Sequence, residues 1–362
     1  MIWMYAGFVA LVFGLLALDL GVFHRRAHVV SVKEALGWSA LWIALGLAFA
    51  GFVYAAYEGH WAGLGLNADV MAGPPRTEPG VGLVYNDGGS AAVKYVTGYL
   101  VEKSLAVDNI FVIAMLFGFF AVPAIYRHRV LFWGVVGALL MRGAMIAVGT
   151  QLLQRFTWIL YLFGAFLILT GAKMLSLKTD ETDPGRNVVV RLTRRLFPIA
   201  ERFHGQHFFV RAGSSASHEA PHPGAAVETD RVVDAAKAGT LLATPLFLAL
   251  VTVEVSDVVF AVDSIPAIFA ITADPFLVFT SNVFAILGLR SLYFALAGAI
   301  DSFRYLKVSL AVVLGVVGVK MMTHAWLKAL LGRHFNLYLL ALVVLILAAG
   351  VAASIAARRR EG

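Results

Sequence analysis

Two similar acidic motifs occur far apart in the chain, LAVDNIF at 105–111 and FAVDSIP at 260–266. In each motif a second acid precedes the aspartate by six positions. These pairs are Glu102 and Asp108, and Asp257 and Asp263. Both motifs lie in apolar stretches, where a carboxylate costs about 2.5–3.5 kcal/mol on insertion scales and is usually retained for function. The repetition therefore predicts a functional site built from intramembrane carboxylates.

Neighbouring polar residues add further oxygen donors to this site. The candidate ligands are Glu102, Asp108, Asn109, Glu254, Asp257, Asp263 and Ser264. Oxygen ligands suit hard cations such as Mn²⁺, Mg²⁺ and Ca²⁺. The chain has no cysteine, and no histidine stands at the centre of an apolar segment, so the set suits Zn²⁺ and Cu⁺ poorly. The pattern predicts a site for a hard divalent cation and excludes thiol redox chemistry.

Two arginines within apolar segments, Arg142 and Arg290, could act as counter-charges for these acids. One interpretation is a set of purely structural ion pairs. Five acids face two arginines, however, which favours a cation site whose charge the arginines compensate when the cation leaves. Asp19, Lys173 and Lys320 are further candidates for the pathway, although the lysines could equally snorkel to the interface and Asp19 could cap a helix.

Three other polar residues carry weaker signals. Asn282 fits a hydrogen bond between helices as well as it fits a ligand. His204 and His207 lie in a polar segment, where histidines are more often solvated or interfacial than bound to metal.

The composition indicates what kind of protein must position these groups. Hydrophobic residues make up 60% of the 362 residues and charged residues only 14%, with a mean hydropathy of +0.81. Such a chain lacks the polar residues that cover a water-soluble globule, so we expect a polytopic membrane protein in contact with the lipid bilayer. The net charge of +7 does not indicate nucleic-acid binding, because the basic residues cluster in short loops and the C-terminal tail.

Nine apolar segments can be delimited, most of them near the ~20 residues that a helix needs to cross a bilayer. They are 2–23, 36–57, 94–122, 129–150, 157–176, 240–271, 276–298, 306–326 and 335–357. When residues at the segment edges and in the C-terminal tail are included, basic residues number ten on one side and four on the other. The ten are Arg25, Arg26, Lys33, Arg127, Arg129, Arg304, Lys307 and Arg358 to Arg360, and the four are Arg76, Arg155, Lys328 and Arg333. Because cytoplasmic loops carry the excess of Lys and Arg, the N-terminus is predicted outside and the C-terminus in the cytoplasm.

Two polar segments separate groups of apolar ones. Segment 58–93 contains turn-forming sequences and is predicted to be an external loop, whereas 177–239 is charged and is predicted to lie in the cytoplasm. Within the second segment, 191–210 mixes basic and aromatic residues, which favours packing along the membrane face. Residues 213–226 have the composition of a flexible linker.

The charged residues recur in the same order in two groups of three apolar segments. They are Asp108, Arg142 and Lys173 in residues 94–176, and Asp263, Arg290 and Lys320 in residues 240–326. An odd number of segments makes the two units enter the membrane from opposite sides, as in inverted-topology repeats. The predicted fold is all-α, with about nine transmembrane helices and an inverted repeat of two three-helix units. The other parts are accessory helices with an external loop (1–93), a cytoplasmic loop (177–239), and a last helix with a basic tail (327–362).

Unbroken helices would not bring all the acids to one point. On an ideal helix Asn109 shares a face with Glu102, and Asp108 is rotated about 120° away. In the second motif Asp263 falls nearly opposite the face that Glu254 and Asp257 share. Pro266 has no amide proton to donate and clashes with the carbonyl one turn earlier. We therefore expect two interrupted helices that meet near the bilayer midplane and bring the acids together.

Longer segments around these residues resemble one known family. EKSLAVDNIFV (102–112), EVSDVVFAVDSIPA (254–267), LALDLGVFHR (17–26) and FPIAERFHGQHFF (197–209), with Arg142 and Arg290, are similar to the TerC family of integral membrane proteins. The resemblance covers essentially the whole chain. It implies a relation to transporters built from three-span repeats, several of which are implicated in Mn²⁺ export. It also implies a metal pathway of Glu102, Asp108, Asn109, Glu254, Asp257 and Asp263, with Ser264 in the place of Asn109.

With this resemblance, we expect a secondary transporter of the bacterial inner membrane that exports Mn²⁺ by alternating access, and not an enzyme. Mn²⁺ is then the transported substrate, and no tightly bound cofactor is expected. One alternative is a non-transporting membrane assembly or a partner in tellurite resistance. An intramembrane aspartyl hydrolase using Asp108 and Asp263 is less favoured, because no partner motif accompanies them. The coupling ion, competition by Mg²⁺ or Ca²⁺ and the number of subunits stay open.

Overall fold

The structure is a computed structural model and describes residues 2–21, 31–72, 75–156, 158–176, 191–193, 195, 197–218, 230–296, 305–323, 326 and 335–361. Its main helices are α1 (Ile2–Gly21), α2 (Val32–Glu58), α3 (Gly88–Phe119), α4 (Ala124–Arg155), α5 (Ile159–Ser176), α6 (Arg231–Ala235), α7 (Pro245–Phe269), α8 (Pro275–Ile286), α9 (Leu289–Leu296), α10 (Leu306–Met322) and α11 (Phe335–Glu361). Four short strands are β1 (Arg76–Glu78), β2 (Gly82–Val84), β3 (Phe209–Arg211) and β4 (Leu241–Ala243).

Five helices are long and apolar enough to cross a membrane: Val32–Glu58, Ala124–Leu153, Pro245–Phe269, Pro275–Leu296 and Asn336–Ala357. Three shorter apolar helices are Ile2–Leu18, Ile159–Leu175 and Val308–Met322. Helix α3 is longer than any of these but contains several charged residues. The protein is therefore a helical, multi-pass membrane protein. Each of the nine apolar segments contains helix, and the number and direction of the crossings stay predictions.

Local sequence signals start the central helices. The Asp87 carboxylate accepts a hydrogen bond from the amide of Ser90 at 2.7 Å and caps α3. Helix α7 begins with Pro245 after the cap residue Thr244, and α8 begins with Pro275 after the cap residue Asp274. Proline at the first helical position loses no hydrogen bond there, so each pair marks a helix start.

The helix break lies at a different place from the predicted one. Helix α7 continues through Pro266 to Phe269, and α3 is continuous through Asp108, so neither acidic helix is interrupted. Pro266 lies one turn before the end of α7, so only a short part of the helix follows it. The helix therefore accommodates the proline without an interruption. The predicted segment 276–298 is instead divided into α8 and α9 at Gly288, whose φ of 78° suits glycine.

Two contacts explain why the break occurs there. A Cβ atom on Gly288 would lie 2.5 Å from the side chain of Trp42 in α2, so only glycine fits. Lys103 of α3 donates from its Nζ to the carbonyls of Ala285 and Leu287, both at 3.1 Å. The lysine thereby satisfies backbone oxygens that the end of α8 leaves without intrahelical partners.

Helix α3 lies at the centre of the packing. Its first half packs with α1, α2 and α8 in one apolar cluster, and its second half packs with α4, α7 and α9 in another. A third cluster joins α5, α10, α11 and the second half of α7. The helices that carry the predicted acids, α3 and α7, therefore lie at the junction of these clusters.

Helices α5 and α10 approach each other closely and run antiparallel. A Cβ atom on Gly164 would lie 3.0 Å from the carbonyl oxygen of Gly318, and one on Gly171 would lie 2.6 Å from that of Ala311. Small residues permit this approach of two backbones, which is a common way to pack helices in membranes. We call these four residues the glycine seam.

Replacing Gly171 by leucine should separate α5 from α10, because backbone atoms of α10 cannot move aside as a flexible side chain would. The expected loss in the free energy of unfolding is about 1–3 kcal/mol, as for other overpacked cores. Thermal unfolding of the purified protein in detergent measures it. Gly14→Leu in α1 is the matched control, because nothing lies within 4 Å of a Cβ atom there. Equal unfolding temperatures for the two variants would contradict the seam.

The polar segments contain small sheets, so the fold is not entirely helical. In the first segment β1 pairs antiparallel with β2, and in the second β3 pairs antiparallel with β4. Phe203 and Phe208 of the second segment pack against the cluster formed by α3, α4, α7 and α9. This part of the predicted membrane-face segment therefore packs against the helices. Of the predicted linker 213–226, residues after His218 lie outside the described part of the chain.

Candidate functional site

Arg142 of α4 connects acids from two other helices. Its Nη1 donates to Glu102 of α3, and its Nη2 and Nε donate to the two carboxylate oxygens of Asp257 of α7 at 3.0 and 3.3 Å. Arg142 is only 2% exposed and Glu102 is fully buried. A bidentate arginine–carboxylate pair is among the strongest charge-assisted hydrogen bonds. The guanidinium therefore holds three helices together through charge.

Three neutral side chains complete this group. Arg142 Nη1 lies 3.2 Å from Asn282 Oδ1 of α8 and 3.3 Å from Ser264 Oγ of α7. Asn109 Nδ2 of α3 donates to Asp257 Oδ1 at 3.5 Å. The Arg142 cluster is defined by these residues: Glu102, Asn109, Arg142, Asp257, Ser264 and Asn282. From the sequence, Asn282 fitted either a hydrogen bond between helices or a ligand. In the structure it is a hydrogen-bond partner of Arg142.

Ordinary helical spacing positions these side chains. Glu102 and Asn109 are seven residues apart on α3, and Asp257 and Ser264 are seven residues apart on α7. Seven residues is close to two helical turns, so each pair lies on one face. No interruption of either helix is needed to assemble the cluster.

The other acids whose side chains are described, Asp263 and Glu254, lie outside this cluster. Asp263 accepts a hydrogen bond from Thr170 Oγ1 of α5 at 3.3 Å, and the charge of Lys173 acts on it. Glu254 lies against Gly137 of α4 and interacts electrostatically with Asp257. The unbroken α7 thus directs Asp263 away from the face of Asp257. The side chains of Asp108 and Asp19 lie outside the described part of the structure.

The other predicted basic residues occupy separate positions. Arg290, the second residue of α9, is 5% exposed and directly follows the Gly288 break. Lys320 of α10 is 2% exposed and donates to the carbonyl of Ala270 at the end of α7, so it does not snorkel. Lys173, by contrast, is exposed near the end of α5.

Arg142 determines what the cluster can bind in this conformation. Among the described residues, no group of three or more His, Cys, Asp or Glu is arranged to hold a metal ion. The guanidinium lies where a cation would contact both Glu102 and Asp257. Yet Glu102 Oε2 is buried without a hydrogen-bond partner in the described part of the chain. The acceptor atoms of the cluster are oxygens, which are the ligands that hard cations prefer.

A second buried polar group was not foreseen from the sequence. Asp69, from the predicted external loop, accepts hydrogen bonds from Lys94 Nζ at 2.8 Å, Thr272 Oγ1 at 2.7 Å and the amide of Ala273 at 2.9 Å. Asp69 and Lys94 are 3% and 1% exposed. The loop therefore folds into the end of the helical bundle and connects α3 with the turn between α7 and α8.

Asp274 extends this group, which we call the Asp69 cluster: Tyr57, Asp69, Asn86, Lys94, Thr272 and Asp274. The Tyr57 hydroxyl donates to Asp274 at 2.8 Å, and Asn86 Nδ2 donates to both aspartates. Burial disfavours a charged Asp69, but Lys94, Thr272 and Ala273 outweigh it and hold its pKa well below the usual range. Burial, followed by the charge of Asp69, raises the pKa of Asp274.

One signal in the sequence pointed to this group. Lys94 lies in an apolar segment with no acid within one helical turn, and a buried lysine in a membrane protein requires a partner. The partner comes from a loop 25 residues away, which no helical periodicity relates to Lys94. The pairing of Asp69 with Lys94 was therefore not predictable from spacing.

The described part of the polar segment 177–239 contains a buried pair of His204 and Asp230. His204 Nε2 lies 3.1 Å from Asp230 Oδ2, and both residues are 3% exposed. Asp230 also caps α6 through the amides of Val232 and Val233. His204 is therefore part of a packed segment and is not solvated as expected, and its carbonyl accepts a hydrogen bond from the amide of His207 at 3.1 Å.

Residues 87–362 match the family described as "Integral membrane protein TerC family". A relative from Myxococcus xanthus, "Uncharacterized membrane protein STKORF319", is 47% identical over 318 residues, covering 88% of this chain and 82% of that protein. The protein named "Putative membrane-bound redox modulator Alx" is 42% identical in Salmonella typhi and 41% in Escherichia coli (strain K12), over 94% of this chain and 93% of each relative. No solved structure shows significant similarity to the chain.

The family match contains both acidic motifs, both buried arginines and the two units of apolar segments. The relatives extend the similarity toward the N-terminus, and their names describe membrane proteins. The resemblance noted from the sequence is therefore confirmed: the chain is a multi-pass membrane protein and belongs to the TerC family of integral membrane proteins.

Proposed function

We propose that this protein exports a divalent metal cation, with Mn²⁺ as the transported substrate, and that the Arg142 cluster is its central binding site. The observation that carries this proposal is the position of one guanidinium between Glu102 and Asp257, two carboxylates from different helices. Burying such charges costs several kcal/mol per ion, and a structural bridge alone is weak support for stability. A site that exchanges one cation for another explains why the chain retains the acids.

The charges of the cluster suit this exchange. Two carboxylates and one guanidinium leave a net negative charge in a buried place, and Glu102 Oε2 is an acceptor without a hydrogen bond among the described atoms. A divalent cation would take oxygens from Glu102, Asn109, Asp257 and Ser264, all of them hard ligands. Arg142 then returns to the carboxylates when the cation leaves, which limits the electrostatic cost of the empty carrier.

Residues on either side of the cluster extend it into a pathway. Asp108 and Asp263 each lie six residues beyond Glu102 and Asp257 along helices that run in opposite directions in the predicted topology. At 1.5 Å per residue each aspartate stands about 9 Å along its helix from that acid, one toward each membrane face. In this proposal Asp108 receives the cation from the cytoplasm and Asp263 passes it outward, with the N-terminus outside in a bacterial inner membrane.

Transport by purified protein in liposomes tests the function. We expect uptake of Mn²⁺ well above that of protein-free liposomes, and weaker uptake of Zn²⁺, because Zn²⁺ prefers nitrogen and sulfur ligands. Parallel measurements with Mg²⁺ and Ca²⁺ determine the selectivity among hard cations. Equal metal content in liposomes with and without the protein would reject the proposal.

One alternative keeps the family but not the transport. A membrane assembly or a partner in tellurite or metal-stress resistance would need the polar loops more than the buried acids. The relatives named as redox modulators suggest a redox process, but this chain has no cysteine and cannot use its own thiols in one. In this alternative, liposomes show no uptake, and changes in 197–218 abolish resistance while Asp257→Asn does not.

A further inference from the structure

The acids that meet at Arg142 correspond to each other in the two predicted repeat units. Glu102 and Asp257 are 155 residues apart, as are Asn109 and Ser264. Arg142 therefore binds both members of one corresponding pair. The arginine that corresponds to Arg142 is Arg290, 148 residues later, and it lies at another helix position beside the Gly288 break.

The glycine seam follows the same correspondence. A spacing of 147 residues, which relates Lys173 to Lys320, also relates Gly164 to Ala311 and Gly171 to Gly318. The two seam contacts, Gly164 with Gly318 and Gly171 with Ala311, are therefore each other's images when the units are exchanged. Such reciprocal contacts are the property of a two-fold interface. This supports a two-fold relation between the units.

The arginine helices depart from that symmetry. Helix α4 is continuous through Arg142, whereas its counterpart is divided into α8 and α9 two residues before Arg290. In an inverted repeat, a state that opens to one side of the membrane only requires the two units to have different conformations. The opposite-facing state then arises when the units exchange conformations.

We infer that Arg290 is the counter-charge of the opposite-facing state, in which it replaces Arg142 between Glu102 and Asp257. The two-fold relation maps each of the two acids onto the other, so both acids are at the site in either state. Only the arginine that binds them differs between the states. This inference rests on the proposed alternating access. Arg142 and Arg290 are then positioning residues that stabilise opposite states, and removing either one shifts the population toward the state stabilised by the other.

Distance measurements between spin labels test this directly, since the chain has no native cysteine. One label pair replaces Ala121 and Tyr305 at the predicted cytoplasmic ends of the two units, and a second replaces Arg155 and Thr323 at the outer ends. All four positions lie at the ends of helices or in turns. In the parent protein, alternating access makes the two distances change in opposite senses between states.

We expect Arg142→Gln and Arg290→Gln to change the ratio of the two states in opposite directions, each by roughly fivefold or more. The double variant should return toward the parent ratio, because both states lose their bridge. Arg290→Lys should shift the ratio less than Arg290→Gln does, because lysine keeps the positive charge. Shifts in the same direction, or unchanged distances in both glutamine variants, would overturn the inference.

A transport assay on the parent protein separates this inference from the function it rests on. If the parent takes up Mn²⁺ but the two arginine variants shift the ratio alike, the exchange of arginines is wrong and metal export stands. If the parent takes up no metal, export itself is wrong, whatever the label distances show. A variant that misfolds is identified by size-exclusion chromatography, and its lysine counterpart is then measured in its place with the same expected direction.

Discussion

Asp69→Ala should lower the free energy of unfolding by about 3–5 kcal/mol, because it leaves the Lys94 ammonium buried without its carboxylate. Lys94 and Asp69 are 1% and 3% exposed, so solvent cannot replace the lost partner. Thermal or denaturant unfolding in detergent measures the change. The double variant Asp69→Ala with Lys94→Met should recover much of the loss, since it removes both charges.

Glu78→Ala in the same loop is the control for this prediction. Its carboxylate is 40% exposed and pairs only with His60 among the described contacts, so a change below about 1 kcal/mol is expected. A similar loss of stability for Asp69→Ala and Glu78→Ala would show that the Asp69 cluster does not hold the loop in the bundle.

The pH dependence follows from the lowered pKa of Asp69. A carboxyl group whose pKa is lower in the folded state stabilises the fold above its unfolded pKa and loses that contribution as the pH falls through its folded pKa. The stability difference between the parent and Asp69→Asn should therefore be full above the usual carboxyl value of 3.8 and shrink only below it. A difference that already disappears near neutral pH would contradict the ion pair with Lys94.

Glu102→Gln and Asp257→Asn should each reduce Mn²⁺ transport by more than about tenfold, since even outer partners of metal ligands cost that much when changed. Each substitution removes one negative charge with little change in volume, and each leaves Arg142 with a single carboxylate. Expression and membrane insertion should be retained. The measurements are uptake into liposomes and the manganese content of cells that express each variant.

Asp234→Asn provides the matched control for these two variants. It removes one carboxylate from α6, where the side chain is exposed in the polar segment 177–239, so transport should equal that of the parent. Manganese content that stays at the parental value in both Glu102→Gln and Asp257→Asn would remove the Arg142 cluster from the transport pathway.

Several features of this protein follow from local properties of the sequence. Hydropathy located the helices, because each segment that enters a bilayer must itself be apolar over about 20 residues. Helical period placed Glu102 and Asn109 on one face, and the structure puts both at the Arg142 cluster. The same helical period directs Asp263 away from Asp257. The expected interruption at Pro266 was wrong, because α7 accommodates the proline near its end.

The tertiary structure decided which groups meet. Arg142 is 115 residues from Asp257, and Lys94 finds its acid in a loop that looked purely external. Gly288 terminates α8 because Trp42, from a distant helix, occupies the space of a Cβ atom. Each of these contacts joins segments that no periodicity relates. The sequence alone determined a helical membrane protein with repeated acids, whereas long-range packing determined the arginine that they share.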